Sequence, residues 1–247
     1  MAVESAIGSR FFIDGYDISG DVGQIGSVRI SVAPLDVTPI DVSAATRIRG
    51  RQSGEMSWNV FFNDAALQEH VALKAMVRTD RYAMWAHQCA AIGDSGAAMR
   101  GKQMSYDWNL GADGGFIGSV QMLSNGPPIE FGNLITPGKR TDTGATNGAS
   151  FDGGASTSFG LAAYAFCTAV TGTSVTLTIE DSANNSDWTA VTGGAFTAFT
   201  AIGAQRIQTA VGGTVRRYVR VVSSGTFNPA TFVVLMVRYS TTQQLYA

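Results

Sequence analysis

His87 and Cys89, in RYAMWAHQCA (81–90), stand at a spacing that puts both on one strand face, and both residue types bind transition metals. A structural zinc site needs four ligands, and the chain has only 2 His and 2 Cys with no second pair at usable spacing. No metal and no cofactor is therefore expected. Asp14, Asp17 and Asp21 cluster in one segment, and Asp36 and Asp41 stand in another. Hydrolysis of a glycosidic bond needs two carboxylates across a cleft, whereas aspartates this close in sequence are the ordinary result of turn chemistry. The glycine stretches GADGG (111–115) and GASFDGGAS (148–156) lack the G-x-x-x-x-G-K-[ST] order of a phosphate loop and lead into no helix. His70 falls inside an apolar stripe and reads as a satisfied core residue. Arg216, Arg217 and Arg220 with Tyr218 form a basic, aromatic edge that suits anions or sugars; on the plainer reading they are a solvated strand face whose charges block stray sheet pairing. Without a catalytic constellation, an enzyme is not expected.

The elements that would carry these residues are mostly strands. In TRIRGRQSGEMSWNVFF (46–62), Met56, Trp58, Val60 and Phe62 share one face, and Ser57, Asn59 and Phe61 the other. Asn63 and Asp64 can accept hydrogen bonds from a helix's first amides, and a helix is expected from Asp64 to Val77 with Ala66, Leu67, Val71, Leu73, Ala75 and Val77 facing the sheet. SRFFIDG and YDISGDV predict a hairpin around Asp14–Gly15. GQIGSVRISV (23–32) alternates imperfectly, which suits a twisted or bulged strand. Further strands are expected at 81–90, 102–110 and 116–123, separated by Gly-rich turns at 93–101 and 111–115. Between Ala33 and Arg51 the chain is aperiodic and exceeds the usual length of a structureless connection. It reads as a contact arm, whose candidate assembly contacts are Pro34, Asp36, Pro39, Asp41, Arg47, Arg49 and Arg51.

GNLITPGKRTDTGATNGAS (132–150) is small, polar and aperiodic, the composition of a flexible connector. It suggests a first domain over 1–135, a linker over 136–150 and a second domain over 151–247. In the second, VTLTIED (175–181) sets Val175, Leu177 and Ile179 on one face, and VRRYVRVVSS (215–224) alternates Val215, Arg217, Val219 and Val221 against Arg216, Tyr218, Arg220 and Val222. With ATFVVLMVRYS closing the set and no helical pattern, an antiparallel β-sandwich is the economical fold.

Composition narrows the function. Hydrophobic residues make up 45% and charged residues 15%, which leaves few side chains to keep a monomer apart from its neighbours and hints at surfaces buried between subunits. A formal net charge of −2 leaves no excess of cations to neutralise phosphates, so tight nucleic-acid binding is not expected. The longest apolar run, FVVLMV (232–237), is too short to span a bilayer, and MAVESAIGSRFF does not read as an export signal.

FFIDGYDIS (11–19), LDVT (35–38), RIRGRQSGEMSW (47–58) and the helix from Asp64, in this order, resemble the tail tube (major tail) proteins of long-tailed bacteriophages. SVTLTIEDSANNSDWTAV (174–191), AQRI (204–207) and TVRRYVRVVSSGTF (214–227) resemble the β-sandwich appended to many such proteins. The resemblance implies a mainly β chain: a tail-tube-like sandwich or barrel segment with one helix, then a decorating sandwich on the exterior. It implies a virion protein, made in the host cytoplasm, whose subunits form six-fold rings that stack into a conduit for DNA. Its partners would be itself and other tail proteins such as the tape measure and tail terminator, with DNA passing through unbound. The alternative is a surface-binding module in which the C-terminal sandwich recognises host carbohydrate, with Trp188, Tyr218 and Tyr239 as stacking platforms.

Overall fold

The computed structural model describes residues 5, 7–112 and 114–240. The chain start, read above for an export signal, lies largely outside them. The fold is mainly β, as expected, with fifteen strands among the described residues in one antiparallel network. β1 (Arg10–Ile13) and β2 (Tyr16–Asp17) form the expected hairpin, in which Asp14 and Gly15 have φ of 47° and 87°. Two successive left-handed residues match the twist of a two-residue hairpin, which Asp tolerates and Gly adopts without strain.

β3 (Val22–Asp36) and β4 (Arg47–Phe61) form a long hairpin whose register shifts in three places, two of them within the imperfectly alternating segment 23–32. β4 buries Met56, Trp58 and Val60, whereas Phe62 lies past the strand end and is exposed. The expected long helix is corrected to a short one, α1 (Glu69–Leu73). Leu67 (φ 65°) and Met76 (φ 43°) bracket it in left-handed conformations. Side chains from the sheet also take the carbonyls that a longer helix would offer its own amides: Arg81 donates to Ala72 O at 2.7 Å and Gln103 to Leu73 O at 3.0 Å. Of the predicted apolar helix face only Leu73 is buried, and Ala66, Leu67, Ala75 and Val77 are exposed.

β5 (Arg81–Ala86), β6 (Ser95–Leu110) and β7 (Phe116–Ser124) are the three strands expected next, though β6 starts inside the stretch read as a Gly-rich turn. The supposed flexible connector is strand-paired. β8 (Glu130–Leu134) joins β6 to the C-terminal half, while β9 (Arg140–Asp142), β10 (Thr146–Asn147) and β11 (Phe151–Asp152) all pair with the last strand. Its small polar residues satisfy each other and the sheet: Arg140 binds Asp142 at 2.6 Å and donates to Val221 O at 2.8 Å, and Thr136 Oγ1 accepts from the Val234 amide at 3.1 Å.

β12 (Leu161–Ser182), β13 (Thr189–Ala195), β14 (Gly203–Gln208) and β15 (Tyr218–Arg238) complete the chain. β12 and β15 pair along nearly their whole length, with irregularities between Cys167 and Ser174. There the ribbon bends, so Leu161, Ala163 and Ala165 from one half of β12 share a core with Val175, Leu177 and Ile179 from the other. That arrangement is a sandwich closed by one folded ribbon. The N-terminal core packs Phe11, Ile13, Ala83 and Met99 against Met56, Trp58, Val60 and Met122. A third cluster welds the halves: Phe12, Met84, Ala98 and Leu134 against Tyr164, Phe166, Val233 and Leu235.

Candidate assembly interface

The arm read from sequence is the free end of the β3–β4 hairpin. Pro34 pairs with Arg49, Leu35 with Ile48 and Asp36 with Arg47, and the turn between the strands carries Pro39 and Asp41. All seven candidate contacts thus sit in one projecting ribbon, and every one is outside the core. LDVT has a local task there. Asp36 accepts from the Thr38 amide at 2.9 Å and from its hydroxyl at 2.6 Å, while Thr38 Oγ1 accepts from the Thr46 amide at 2.7 Å. These bonds fix the tip, and the hydrogen bonds from Thr38 hold the Asp36 carboxyl below its usual pKa. The side chains of Arg47, Arg49 and Arg51 make no ion pair or hydrogen bond among the described residues. Leu35, Val37, Ile40, Val42 and Ile48 are exposed, Ile40 completely.

Below the arm lies a four-stranded sheet in the order β3-β4-β7-β6 with two open edges. β3 pairs with β4 alone. On the far side, β5 accompanies β6 only as far as Gly101, so the edge of residues 102–110 opposite β7 has no strand beside it among the described residues. Unpaired edges of this length expose backbone donors and acceptors that readily template pairing with another chain. The sheet's two faces also differ. One carries Val22, Ile25, Trp58 and Val120 into the core; the register puts Gln24, Ser27, Ser57, Asn59, Ser119, Gln121 and Asp107 on the other. Of the cations on that face, Arg29 is paired with Glu55 and Lys102 with Asp80, and alternation along β4 continues the face into Arg51, Arg49 and Arg47 on the arm.

At the sheet end opposite the arm, rings crowd together. Phe62 stacks with Phe116 (5.1 Å), Trp108 (5.3 Å) and His70 (4.7 Å), and Phe61, Leu110 and Ile117 are exposed around them. His70 Nδ1 lies 2.8 Å from the Tyr106 hydroxyl, which donates to Glu69 at 2.9 Å. His70 is thus half-buried and hydrogen-bonded at the edge of the core. Sequence reasoning missed this aromatic end because its members come from three strands, a loop and α1. A visible signal was the pair of aromatics at each strand end, Phe61–Phe62 and Trp108 with Phe116.

Other candidates have structural partners. β5 ends at Ala86 and Gln88 and Cys89 are left-handed, so His87 and Cys89 do not share a strand face as expected. Burial pushes the Cys89 thiol up to about 11, and no cluster of three metal-ligating side chains occurs among the described residues. Asp14 binds Arg81 at 2.6 Å, Asp17 binds Lys139 at 2.5 Å, and Asp21 accepts from the Glu69 amide at 3.1 Å. Arg216, Arg217 and Arg220 are each matched to a carboxylate: Asp181, Asp152 and Glu180. Arg220 lies 4.3 Å over the Trp188 ring and Arg217 4.9 Å over Tyr218, while Tyr239 is buried with its hydroxyl on Glu130. Two of the three supposed stacking platforms therefore carry a guanidinium, and the third is in the interior. Among the described residues no helix is long and apolar enough to cross a membrane.

No protein-family model matches the sequence, and no curated protein matches it. The fold is similar to a chain of the virion of a native gene transfer agent particle, at 14% identity and a TM-score of 0.41 over 52% of this chain and 98% of that one. It is similar to a chain in the tail of an empty gene transfer agent particle with C6 symmetry, at 18% identity and a TM-score of 0.35 over 48% and 92%. The SPP1 Dit protein, a hub of the adsorption apparatus in phages infecting Gram-positive bacteria, shares 13% identity at a TM-score of 0.33 over 94% and 99%.

Proposed function

We propose that this chain is a structural subunit of a long-tailed phage tail, and that its function is to close an incomplete sheet against identical copies of itself. The observation that carries this reading is the pair of open edges on one four-stranded sheet. Because the strand number is even and neighbours are antiparallel, β3 of one copy and β6 of the next would run antiparallel when joined head to tail. A heterologous joint of this kind closes into a ring when the rotation permits, and closure removes both edges. Six copies per ring is the number that the sequence resemblance implies.

In such a ring the apolar face stays inside each subunit and the Ser, Asn and Gln face lines the hole. Below the arm its cations, Arg29 and Lys102, are each matched to a carboxylate, so the lining would offer DNA little counterion release and let it slide. The second domain, over 151–247, would sit on the outside, and the arm would touch a neighbouring copy. Tape measure and terminator proteins are the partners expected at the tube's core and end. Support comes from the sheet edges, the arm and the sequence motifs, not from the partial structural likenesses.

Negative-stain microscopy of the purified full chain tests this. Rings or tubes with a central hole are expected. A monomer at every concentration, even with a preformed tail tip as seed, overturns the proposal.

A further inference from the structure

The junction of the two halves carries a cleft of about 450 Å³, a size usual for small-molecule sites, which favour such junctions. The first half supplies Arg100 of β6 and Pro127 of the β7–β8 turn; the second supplies Arg206 and Gln208 of β14 and Val211 beyond it. Both arginines are fixed by the fold and have donors left over. Glu130 accepts from Nε and Nη2 of Arg206 at 2.7 and 3.0 Å, and Nη2 also meets Gln208 Oε1 at 2.8 Å and the Tyr239 hydroxyl at 3.2 Å, which leaves Nη1 without a partner among the described residues. Arg100 donates Nε to Asn125 O at 3.1 Å, and neither of its terminal nitrogens makes a hydrogen bond among the described residues. Gly126, at φ 104°, leaves room for that guanidinium: a Cβ there would stand 2.6 Å from Arg100 Nη2. The charge is not balanced locally. Arg100 shares Asp80 with Lys102, at 3.6 and 2.8 Å, so three cations stand against the two carboxylates Asp80 and Glu130, and neither carboxylate lines the cleft. Pro127 and the 60% exposed Val211 add an apolar wall.

We infer that this cleft binds a small organic anion, a carboxylate or phosphate carried on a body of about monosaccharide size. The charged group meets Arg100 and Nη1 of Arg206, and the body lies against Pro127 and Val211. Guanidinium donors to an oxyanion make charge-assisted hydrogen bonds, the stronger kind, and their planar fork suits both carboxylate and phosphate. Gln208 gives its Oε1 to Arg206 and so keeps its Nε2 for a hydroxyl of the ligand. Arg216, Arg217 and Arg220, the basic edge visible in the sequence, are each neutralised within the chain, whereas here positive charge is left over. The cleft involves neither the arm nor the open sheet edges, so it stands or falls apart from ring assembly.

Isothermal titration of the full chain with glucuronate, glucose 6-phosphate, glucose and inorganic phosphate tests this. The two sugar anions are expected to bind saturably, at least about ten-fold more tightly than neutral glucose, and less tightly as salt rises. Inorganic phosphate, which has no body to cover the apolar wall, should bind more weakly than either. Arg100→Gln, at a side chain 37% exposed, should keep the parent's urea midpoint and lose about ten-fold in affinity for both anions. Val211→Asp, which sets a like charge on the wall, should also weaken both, and it decides the matter if Arg100→Gln fails to fold. Absence of saturable binding, equal affinity for glucose, inorganic phosphate binding as tightly as glucose 6-phosphate, or affinities unmoved by the folded variants would each overturn the proposal.

Discussion

In the C-terminal half the long ribbon of β12 and β15 turns its apolar residues inward from Leu161 to Val237, and among the described residues beyond 131 Val211 is the sole large apolar side chain that is markedly exposed. In the N-terminal half the same residue types lie on the outside, along the arm and at the aromatic end. The arm's arginines stand apart in the same way: Arg206, Arg216, Arg217 and Arg220 each hold a carboxylate, as do Arg10, Arg29, Arg81 and Arg100 elsewhere in the first half, whereas the side chains of Arg47, Arg49 and Arg51 hold none among the described residues. One half has satisfied its chemistry internally. The other keeps edges, apolar groups and charge in a form that a second molecule can complete, which is what an assembling element requires.

The largest effect expected from breaking this contrast lies where the halves join. Glu130, on β8, accepts from Arg206 at 2.7 Å and from Tyr239 at 2.5 Å, and it also binds the Tyr164 hydroxyl. All four side chains are buried or nearly so. Removing the carboxylate leaves a guanidinium without its counter-charge, so Glu130→Ala should cost ~3–5 kcal/mol in urea unfolding of the full chain. A loss below about 1 kcal/mol would show that solvent reaches this network freely.

How much of this was legible beforehand depended on the range of the interactions involved. Alternation in 54–60 and 175–179 and the Asp14–Gly15 turn are local, and each appears where expected. The long helix failed because Arg81 of β5 and Gln103 of β6 take its carbonyls early, and where those strands lie against the segment is not written in its periodicity. The connector failed because composition says how polar a segment is, not whether β15 lies beside it to pair with. The arm residues were visible as an unusual stretch, yet their union in a ribbon required the Pro34–Arg49 pairing. The aromatic end left a trace in the aromatics near the strand ends, but its union was not legible because three strands, a loop and α1 build it. The Glu130 network was hidden for the same reason, its members coming from β8, β12, β14 and the residue after β15.

A smaller, pH-dependent effect is expected under the aromatic end. Glu69 is fully buried; burial pushes its carboxyl pKa up, the neighbouring Asp21 charge adds to this, and hydrogen bonds from Asn63 and Tyr106 oppose it. The folded chain then keeps a proton that the unfolded chain has released, so stability should fall as pH rises from the ordinary value of 4.5 through the raised one. Below 4.5 both states are protonated and this contribution is flat. Glu69→Gln should remove that slope from urea midpoints measured across the interval. Parallel slopes for both proteins would mean that Glu69 ionises as freely in the fold as outside it.

The smallest effect on stability, and the sharpest on the comparison, belongs to the arm. Leu35 and Ile48 face each other across the hairpin and are each half-exposed, with no core beneath them. Replacing both with Ser forfeits only the part of each side chain that packs across the hairpin, so the unfolding free energy in urea should fall by no more than ~1 kcal/mol. Their solvent-facing area is the part that a docking partner would cover, and covering it contributes roughly 25 cal/mol per Å². The same double variant should therefore sediment as smaller species than the parent chain at equal concentration. If instead stability drops sharply while assembly is unchanged, these side chains belong to the subunit's own interior, and the contrast between its two halves disappears.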